Sequence, residues 1–131
     1  MSIETFPQPS EGEFEILQVL WKIEPATVRQ VHELLSINRQ VGYTTTLKQM
    51  QRMLEKNLLR REDREAGHYY TCLVRQAEAR QNLVEKLAQQ FFEGSSTQLA
   101  IQALGSGEVS NTELEELEKL LDELKKKQSH E

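Results

Sequence analysis

The chain has 131 residues, which allow one compact domain, or a small domain plus an appendage, but not two large cores. Its formal net charge of −5 at pH 7 argues against a protein that binds polyanions with its whole surface. Its single cysteine excludes an internal disulfide framework and favours a reducing compartment. No apolar run reaches the roughly 18–20 residues of a membrane span, and the first residues lack the basic-then-apolar pattern of a signal peptide. We therefore expect a soluble cytoplasmic protein without membrane insertion.

Two helices are predicted after residues 1–9, which contain two prolines and are expected to form a flexible leader. Each helix opens on a capping box, Ser10-Glu11-Gly12-Glu13 and Thr27-Val28-Arg29-Gln30. Apolar residues then recur at helical spacing. In the first helix, which Pro25 ends, they are Phe14, Ile16, Leu17, Leu20 and Trp21, and in the second they are Val28, Val31, Leu34 and Leu35.

A third helix is predicted from Tyr43 to Asn57, where a left-handed C-cap is expected. Its spacing assigns two faces. The inward face carries Tyr43, Thr46, Leu47, Met50, Met53 and Leu54. The outward face carries Thr45, Lys48, Gln49 and Arg52, with Thr44 at the exposed amino end.

Two short strands around Gly67 predict a hairpin after the third helix. Helix, basic strand, turn and strand is the order of a winged helix-turn-helix. We therefore expect a mainly α protein with a small β-hairpin. Residues 10–74 would form a winged-helix DNA-binding domain, and residues 75–131 would form a helical dimerisation domain.

The charges are unevenly distributed along the chain. Residues 39–64 hold seven basic and three acidic side chains, a balance of 7 − 3 = +4. Residues 75–131 hold seven basic and eleven acidic side chains, a balance of 7 − 11 = −4. A basic patch on one module beside an acidic module favours local phosphate contact without indiscriminate polyanion binding, although solvated surfaces also show such asymmetry.

The second half is predicted to be helical, with breaks at residues 94–96 and 105–107 and a third capping box, Ser110-Asn111-Thr112-Glu113. Its apolar residues predict either a closed three-helix core or a homodimer interface. Because so few residues make a marginal core alone, the homodimer is favoured. The interface residues would be Leu83, Leu87, Phe91, Phe92, Leu99, Ile101, Leu104, Leu114, Leu117, Leu121 and Leu124, the last four spaced as in a coiled coil.

The third helix would lie in the major groove of double-stranded DNA, with Thr44 and Thr45 short enough to reach base edges. Lys48 and Arg52 would reach phosphate or guanine. Alternatives remain for each residue: Thr44 caps the helix, Gln49 reads adenine or contacts only solvent, and the cations belong to a solvated face. In the hairpin, Arg64 and His68 would contact the DNA backbone; the alternative for His68 is an exposed loop residue.

Other chemistry finds little support in the chain. His32, His68, His130 and Cys72 show no metal-ligand spacing, and no nucleophile motif or phosphate-binding glycine loop occurs. We therefore expect no enzyme, no metal and no cofactor. Trp21 and Tyr70 are predicted to be core residues.

Several motifs occur together in this chain, namely Trp21, Thr27-Val28-Arg29-Gln30-Val31, Tyr43-Thr44-Thr45, the run of residues 52–59 and Gly67-His68-Tyr69-Tyr70. In these motifs and their order the chain resembles the penicillinase-repressor family. It implies a winged helix, a dimer formed by three C-terminal helices, binding to inverted-repeat operators, transcriptional repression and a membrane sensor protease as a candidate partner.

Several residues depart from that family's pattern. In β-lactam-responsive members the sensor triggers cleavage at an Asn-Phe bond, which this chain lacks; the nearest equivalent is Gln102-Ala103. The Cys-x-Cys ligands of the copper-responsive branch are also missing, and Cys72 stands where the family tends to have proline. The competing hypothesis is a winged-helix module that binds a protein rather than DNA.

Overall fold

The computed structural model describes residues 8–129 of the chain. Over these residues the structure contains six helices and one antiparallel hairpin, in agreement with the predicted fold class. In chain order the elements are α1 (Glu11–Ile23), α2 (Val28–Asn38), α3 (Tyr43–Glu55), β1 (Leu59–Arg64), β2 (Gly67–Cys72), α4 (Gln76–Phe91), α5 (Ser96–Ser106) and α6 (Asn111–Ser129).

Helix α1 begins at the predicted capping box. The Ser10 hydroxyl accepts a hydrogen bond from the Glu13 amide, and the Ser10 amide donates to Glu13 Oε1 at 2.9 Å. Three apolar residues of α1 are fully buried, namely Ile16, Leu17 and Leu20. Trp21 packs against the core, and its Nε1 donates to the carbonyl oxygen of Val74 at 3.0 Å. Trp21 was predicted to be a core residue, and the structure places it half-buried at the edge of the core.

Helices α2 and α3 complete the helical core, with Val31, Met50 and Met53 fully buried. Two residues assigned to inward faces are more exposed than predicted. Leu34 is 39% exposed, because it lines an open groove between α1 and α2 instead of the core. Tyr43 is 37% exposed, because it lies at the first turn of α3, beside the edge of α2.

A Schellman motif ends α3 at the predicted left-handed residue, Asn57, whose φ is 65°. The Asn57 amide donates to the carbonyl of Leu54, and the Leu58 amide donates to that of Met53. This reversal leads directly into β1, so the end of α3 fixes where the hairpin starts.

The hairpin β1–β2, which we call the wing, pairs Leu59 with Cys72 and Arg64 with Gly67. Gly67 has a φ of 135°, a conformation that side-chain-bearing residues rarely adopt. A backbone bridge between Ala26 and Tyr70 joins the base of the wing to the segment between α1 and α2. Tyr70 is buried, as predicted.

The chain divides into two compact units, the first ending at Val84 and the second beginning at Glu85. The first half of α4 therefore belongs to the first unit, where Ala79 is fully buried, whereas the sequence placed the boundary after residue 74. In the second unit, α5 and α6 bury none of their residues. Helix α5 continues through Gly105 to Ser106, so the predicted break begins only at Gly107.

The amino-terminal leader was predicted over residues 1–9. Residues 1–7 lie outside the described residues, as does His130, but Pro9 is buried and so belongs to the folded unit. Within residues 8–129, no helix is both long and apolar enough to cross a membrane.

Candidate nucleic-acid interface

Helix α3 separates a buried face from a polar exposed face. Thr46, Met50 and Met53 are completely buried. On the opposite side Lys48 and Arg52, two of the predicted DNA-binding residues, are exposed. This arrangement leaves cations of α3 accessible along one side while its other side anchors the helix to α1 and α2.

Thr44 and Thr45 are exposed at the amino end of α3. The N-cap of the helix is Gly42, and no side chain caps its free amides. The alternative role of Thr44 as a cap is therefore excluded, and its hydroxyl does not make a capping bond. The same end of α3 presents unpaired backbone amides, which favour anions.

Gln49 differs from its neighbours on the outward face. Its side chain is half-buried and lies over the start of α1, where a Cβ added to Gly12 would come within 2.7 Å of Gln49 Nε2. The purely solvent-exposed alternative is therefore wrong. Any contact of Gln49 with a base edge requires its amide to turn away from Gly12.

The basic patch of residues 39–64 is partly neutralised by carboxylates. Four of its seven basic side chains form ion pairs, which are Arg39–Glu15, Lys56–Glu13, Arg61–Asp63 and Arg64–Glu62. In the part of the chain that the structure describes, Lys48, Arg52 and Arg60 form none within 4.0 Å. The cations most accessible to a phosphate are therefore two on α3 and one on β1.

The two predicted wing contacts lie on opposite faces of the hairpin. The register places His68 opposite Asp63, and His68 Nδ1 lies 2.7 Å from Oδ1 of that carboxylate. Arg64 lies on the other face, where it pairs with Glu62 and stacks over Tyr69 with its guanidinium carbon 4.6 Å from the ring centroid. Both side chains are exposed, and such surface pairs are weak enough to exchange for phosphate.

A hollow of about 450 Å³ lies between α3 and the wing. It is lined in part by Arg29 from α2, Gln51 from α3 and Arg61 and His68 from the wing. Sequence reasoning did not single out Arg29, Gln51 or Arg61. For Arg61 the sequence did contain an indication. Alternate residues of a strand share a face, so Arg61 lies on the same face of the wing as the buried residues Leu59 and Tyr70.

Arg29 is held above this hollow by an aromatic side chain. Its guanidinium carbon lies 4.9 Å from the ring centroid of Tyr43. The same ring meets His32 edge to face, with 5.5 Å between ring centroids. Arg29 is thereby positioned at the start of α2, next to the amino end of α3.

The structure also shows the surroundings of the remaining histidine, cysteine and carboxylate side chains in residues 8–129. Among residues 8–129, no cluster of His, Cys, Asp and Glu has the arrangement of a metal site. Burial raises the pKa of the Cys72 thiol, and the nearby charge of Glu24 raises it further. A thiol with a raised pKa forms little thiolate and is a poor nucleophile.

An exposed cationic helix face beside a β-hairpin defines the molecule as a winged helix-turn-helix protein. The chain belongs to the penicillinase repressor family, whose model matches residues 9–123. Two relatives from Mycobacterium tuberculosis strains, each named "Transcriptional regulator BlaI", are 43% identical over 56 residues. These matches cover 42% of this chain and only 41% of each relative's length.

A solved structure supports the same fold. It is the solution structure of monomeric BlaI from Bacillus licheniformis in complex with the blaP half-operator. That protein is 22% identical to this chain, with a TM-score of 0.51, over 58% of this chain and 93% of the other. The likeness concerns the fold of the two chains.

The predicted dimerisation residues lie along α4, α5 and α6 and the turn after α4. They include exposed apolar side chains, namely Phe91, Ile101, Leu104, Leu114, Leu121 and Leu124. Leu83, Leu87, Phe92, Leu99 and Leu117 are half-buried. The apolar surface of the second unit is thus only partly covered within one copy of the chain.

Proposed function

We propose that this protein is a homodimeric transcriptional repressor that binds inverted-repeat operators. The observation that carries the proposal is the segregation of α3, whose Met50 and Met53 are fully buried while Lys48 and Arg52 are exposed. Membership in the penicillinase repressor family and the BlaI relatives support the same function.

Recognition would use the exposed face of α3 in the major groove, which is wide enough to admit a helix. Thr44 and Thr45 would contact base edges at the amino end, where a methyl group can meet a thymine methyl and a hydroxyl can form a hydrogen bond. Arg52 would bind guanine or phosphate, and Lys48 would bind phosphate. These contacts would combine base readout with backbone positioning.

The wing and the adjacent hollow would bind the DNA backbone beside α3. Arg61 and His68 face the hollow, and Arg64 lies on the outer face of the wing. A phosphate that enters the hollow can replace Asp63 as the partner of Arg61. Contacts of this kind add affinity and orientation but little sequence information.

Homodimerisation would cover the exposed apolar residues of the second unit. Burying an apolar surface stabilises association by roughly 25 cal/mol per Å². The two α3 helices of the dimer would then contact two half-sites on the DNA. The centres of these half-sites would be separated by one helical turn, about 34 Å, or by a multiple of that distance. The half-operator in the BlaI complex fits a pairing of one half-site with each copy.

Occupying a promoter as a dimer would block transcription from it. We propose that the protein acts in the cytoplasm, with a membrane sensor protease as a candidate partner. Gln102 and Ala103, nearest to the family's cleavage position, are exposed residues within α5. Because the Asn-Phe bond is missing, our proposal includes no cleavage at that bond.

The test is a pull-down of fragmented DNA from the source genome with the full chain, followed by binding titrations at several salt concentrations. We expect enrichment of a few near-palindromic fragments. The binding constant for these fragments should fall steeply with salt concentration, because each phosphate contact releases counterions. Each contact contributes about −0.9 to the slope of the logarithm of the binding constant against the logarithm of the salt concentration. A protein-binding module would enrich no specific DNA fragment, and that result would reject the proposed function.

A further inference from the structure

A row of four side chains alternates across the contact between α2 and α3. Arg29 and His32 belong to α2, and Tyr43 and Thr46 belong to α3. The guanidinium carbon of Arg29 lies 4.9 Å from the ring centroid of Tyr43, whose ring meets that of His32 edge to face at 5.5 Å. His32 Nδ1 in turn lies 3.3 Å from the hydroxyl oxygen of Thr46, which is completely buried. The row therefore connects an exposed cation to the interior of the first unit.

Arg29 is the cation at the open end of this row. Its side chain is exposed, and within residues 8–129 it forms no ion pair shorter than 4.0 Å. A guanidinium that lies over an aromatic ring keeps the N–H donors in its own plane available, and those donors match the oxygen atoms of a phosphate. The ring also restricts the side chain, so less conformational entropy is lost when an anion binds. No carboxylate has to be displaced from Arg29 for this to happen.

The hollow between α3 and the wing, which Arg29 lines, has the charge of an anion site. Its other basic lining residues are Arg61 and His68, and no aspartate or glutamate of the described chain lines it. Asp63, which contacts both Arg61 and His68, lies outside this lining. The groove between α1 and α2, by contrast, is lined by Glu15 as well as by two cations. A phosphate therefore fits the hollow better than it fits that groove.

Resting on the proposed DNA-binding function, we propose that Arg29 binds a phosphate of the DNA backbone and that Tyr43 is its positioning residue. Helix α2 then contributes to DNA binding together with α3 and the wing. One backbone strand passes over the hollow, with Arg29 and Arg61 as its cationic contacts. Because Tyr43 is the first residue of α3, the bound phosphate also fixes how α3 lies over the base pairs. The contact supplies affinity and orientation rather than sequence information.

Binding titrations over a range of salt concentrations test the phosphate contact. The probes are a near-palindromic fragment recovered in the genomic pull-down and an unrelated duplex of the same length. Arg29→Gln should weaken binding to both probes by the same factor, roughly threefold to tenfold for each bound copy of the chain, and lower the salt slope by about one per copy. Arg39→Gln, which removes the same charge from the groove between α1 and α2, is the matched control and should keep the wild-type slope.

The outcomes separate this inference from the function on which it rests. If the wild type binds the recovered fragment and Arg29→Gln keeps the wild-type salt slope, the inference is overturned while the proposed function stands. A loss that is larger for the recovered fragment than for the unrelated duplex would mean that Arg29 contacts bases, and it would also overturn the phosphate contact. A wild type that binds no specific fragment would instead reject the proposed function.

Two substitutions at Tyr43 test its positioning role. Tyr43→Phe keeps the ring and should retain the wild-type affinity, whereas Tyr43→Leu removes the ring and should weaken DNA binding roughly twofold to fivefold. In an Arg29→Gln background, Tyr43→Leu should cause no further loss, because the ring acts through the cation. A further loss in that background, or an equal loss in Tyr43→Phe, would overturn the positioning role. Each titration is made well below the variant's midpoint of thermal denaturation, so that unfolded protein does not contribute.

Discussion

The ammonium group of Lys56 lies 2.9 Å from Oε2 and 3.0 Å from Oε1 of Glu13, joining the carboxyl end of α3 to the amino end of α1. Glu13 is only 3% exposed and also accepts the Ser10 amide of its capping box. One carboxylate therefore caps α1 and holds the end of the proposed recognition helix. This pair fixes the direction in which α3 presents Lys48 and Arg52.

We predict that Glu13→Gln destabilises the first unit, with a pH dependence set by the carboxylate. Glutamine preserves the capping box but not the charge. The loss should be about 1–2 kcal/mol near neutral pH, less than for a fully buried pair because Lys56 is partly exposed. Urea denaturation of the wild type, Glu13→Gln and Lys56→Met measures it.

The sign of the pH dependence follows from the pKa of Glu13. Burial alone raises this pKa, but the hydrogen bonds from the Ser10 amide and Lys56, with the charge of Lys56, lower it on balance from 4.5. The stabilisation is therefore complete above the unfolded-state pKa and is lost as the pH falls through the lower folded-state value. The difference between wild type and Glu13→Gln should shrink there; a constant difference would argue against this coupling.

Replacing Arg52 or Lys48 by alanine should weaken operator binding roughly tenfold, the scale of one lost base or phosphate contact. The melting temperature should not fall, because both side chains are exposed and form no ion pair in the described part of the chain. Gel-shift titration and thermal denaturation measure the two effects. Lys22→Ala, on the exposed side of α1, is the matched control and should bind like the wild type. Unchanged affinity in both α3 variants would exclude our placement of that helix.

The two faces of the wing should contribute differently to DNA binding. Arg61 lines the hollow beside α3, whereas Arg64 stacks on Tyr69 at the outer face. Arg61→Ala should reduce the salt slope of binding by about one, as expected for one phosphate contact. Arg64→Ala serves as the comparison, because the Arg64 side chain is also exposed but lies on the other face of the wing. If only Arg64→Ala reduced the salt slope of DNA binding, the DNA would approach the outer face of the wing instead.

We predict that proline at position 72 lowers the stability of the first unit, because proline lacks the backbone N–H group that Cys72 provides. That amide donates to Glu24 Oε1 at 2.7 Å and so joins β2 to the end of α1. Cys72→Pro removes this donor, and the partly buried carboxylate of Glu24 then lacks the hydrogen bond. The variant should therefore be destabilised by about 1–3 kcal/mol. Cys72→Ser keeps the amide and should be close to wild type in thermal denaturation. Equal stability of both variants would show that this hydrogen bond contributes little.

Features that depend on neighbouring residues were predictable from the sequence. The capping boxes at Ser10, Thr27 and Ser110 all form, because each joins residues three positions apart. The left-handed Asn57 and the hairpin around Gly67 are likewise local. The exposed and buried faces of α3 followed from helical periodicity, with Tyr43 and Gln49 as exceptions where the helix meets other elements.

Contacts between distant residues were not predictable in the same way. Glu13 meets Lys56, Glu24 meets Cys72, and Trp21 meets Val74, each across more than 40 positions of the chain. The spacing of these residues along the chain does not predict the contacts between them. The packing of the helices against the wing determines these contacts. The ion pairs that neutralise Arg39 and Lys56 were missed for this reason, and a count of charges overestimated the free basic patch.

The amino-acid sequence by itself determined the order of the elements, their caps and the class of protein, since periodicity and short-range hydrogen bonds are encoded locally. Only the tertiary structure decided which cations remain free for a phosphate, which face of the wing turns towards α3 and which leucines stay uncovered. Those properties depend on how separate elements pack, and each packed contact changes the charge and exposure of residues far away in the chain.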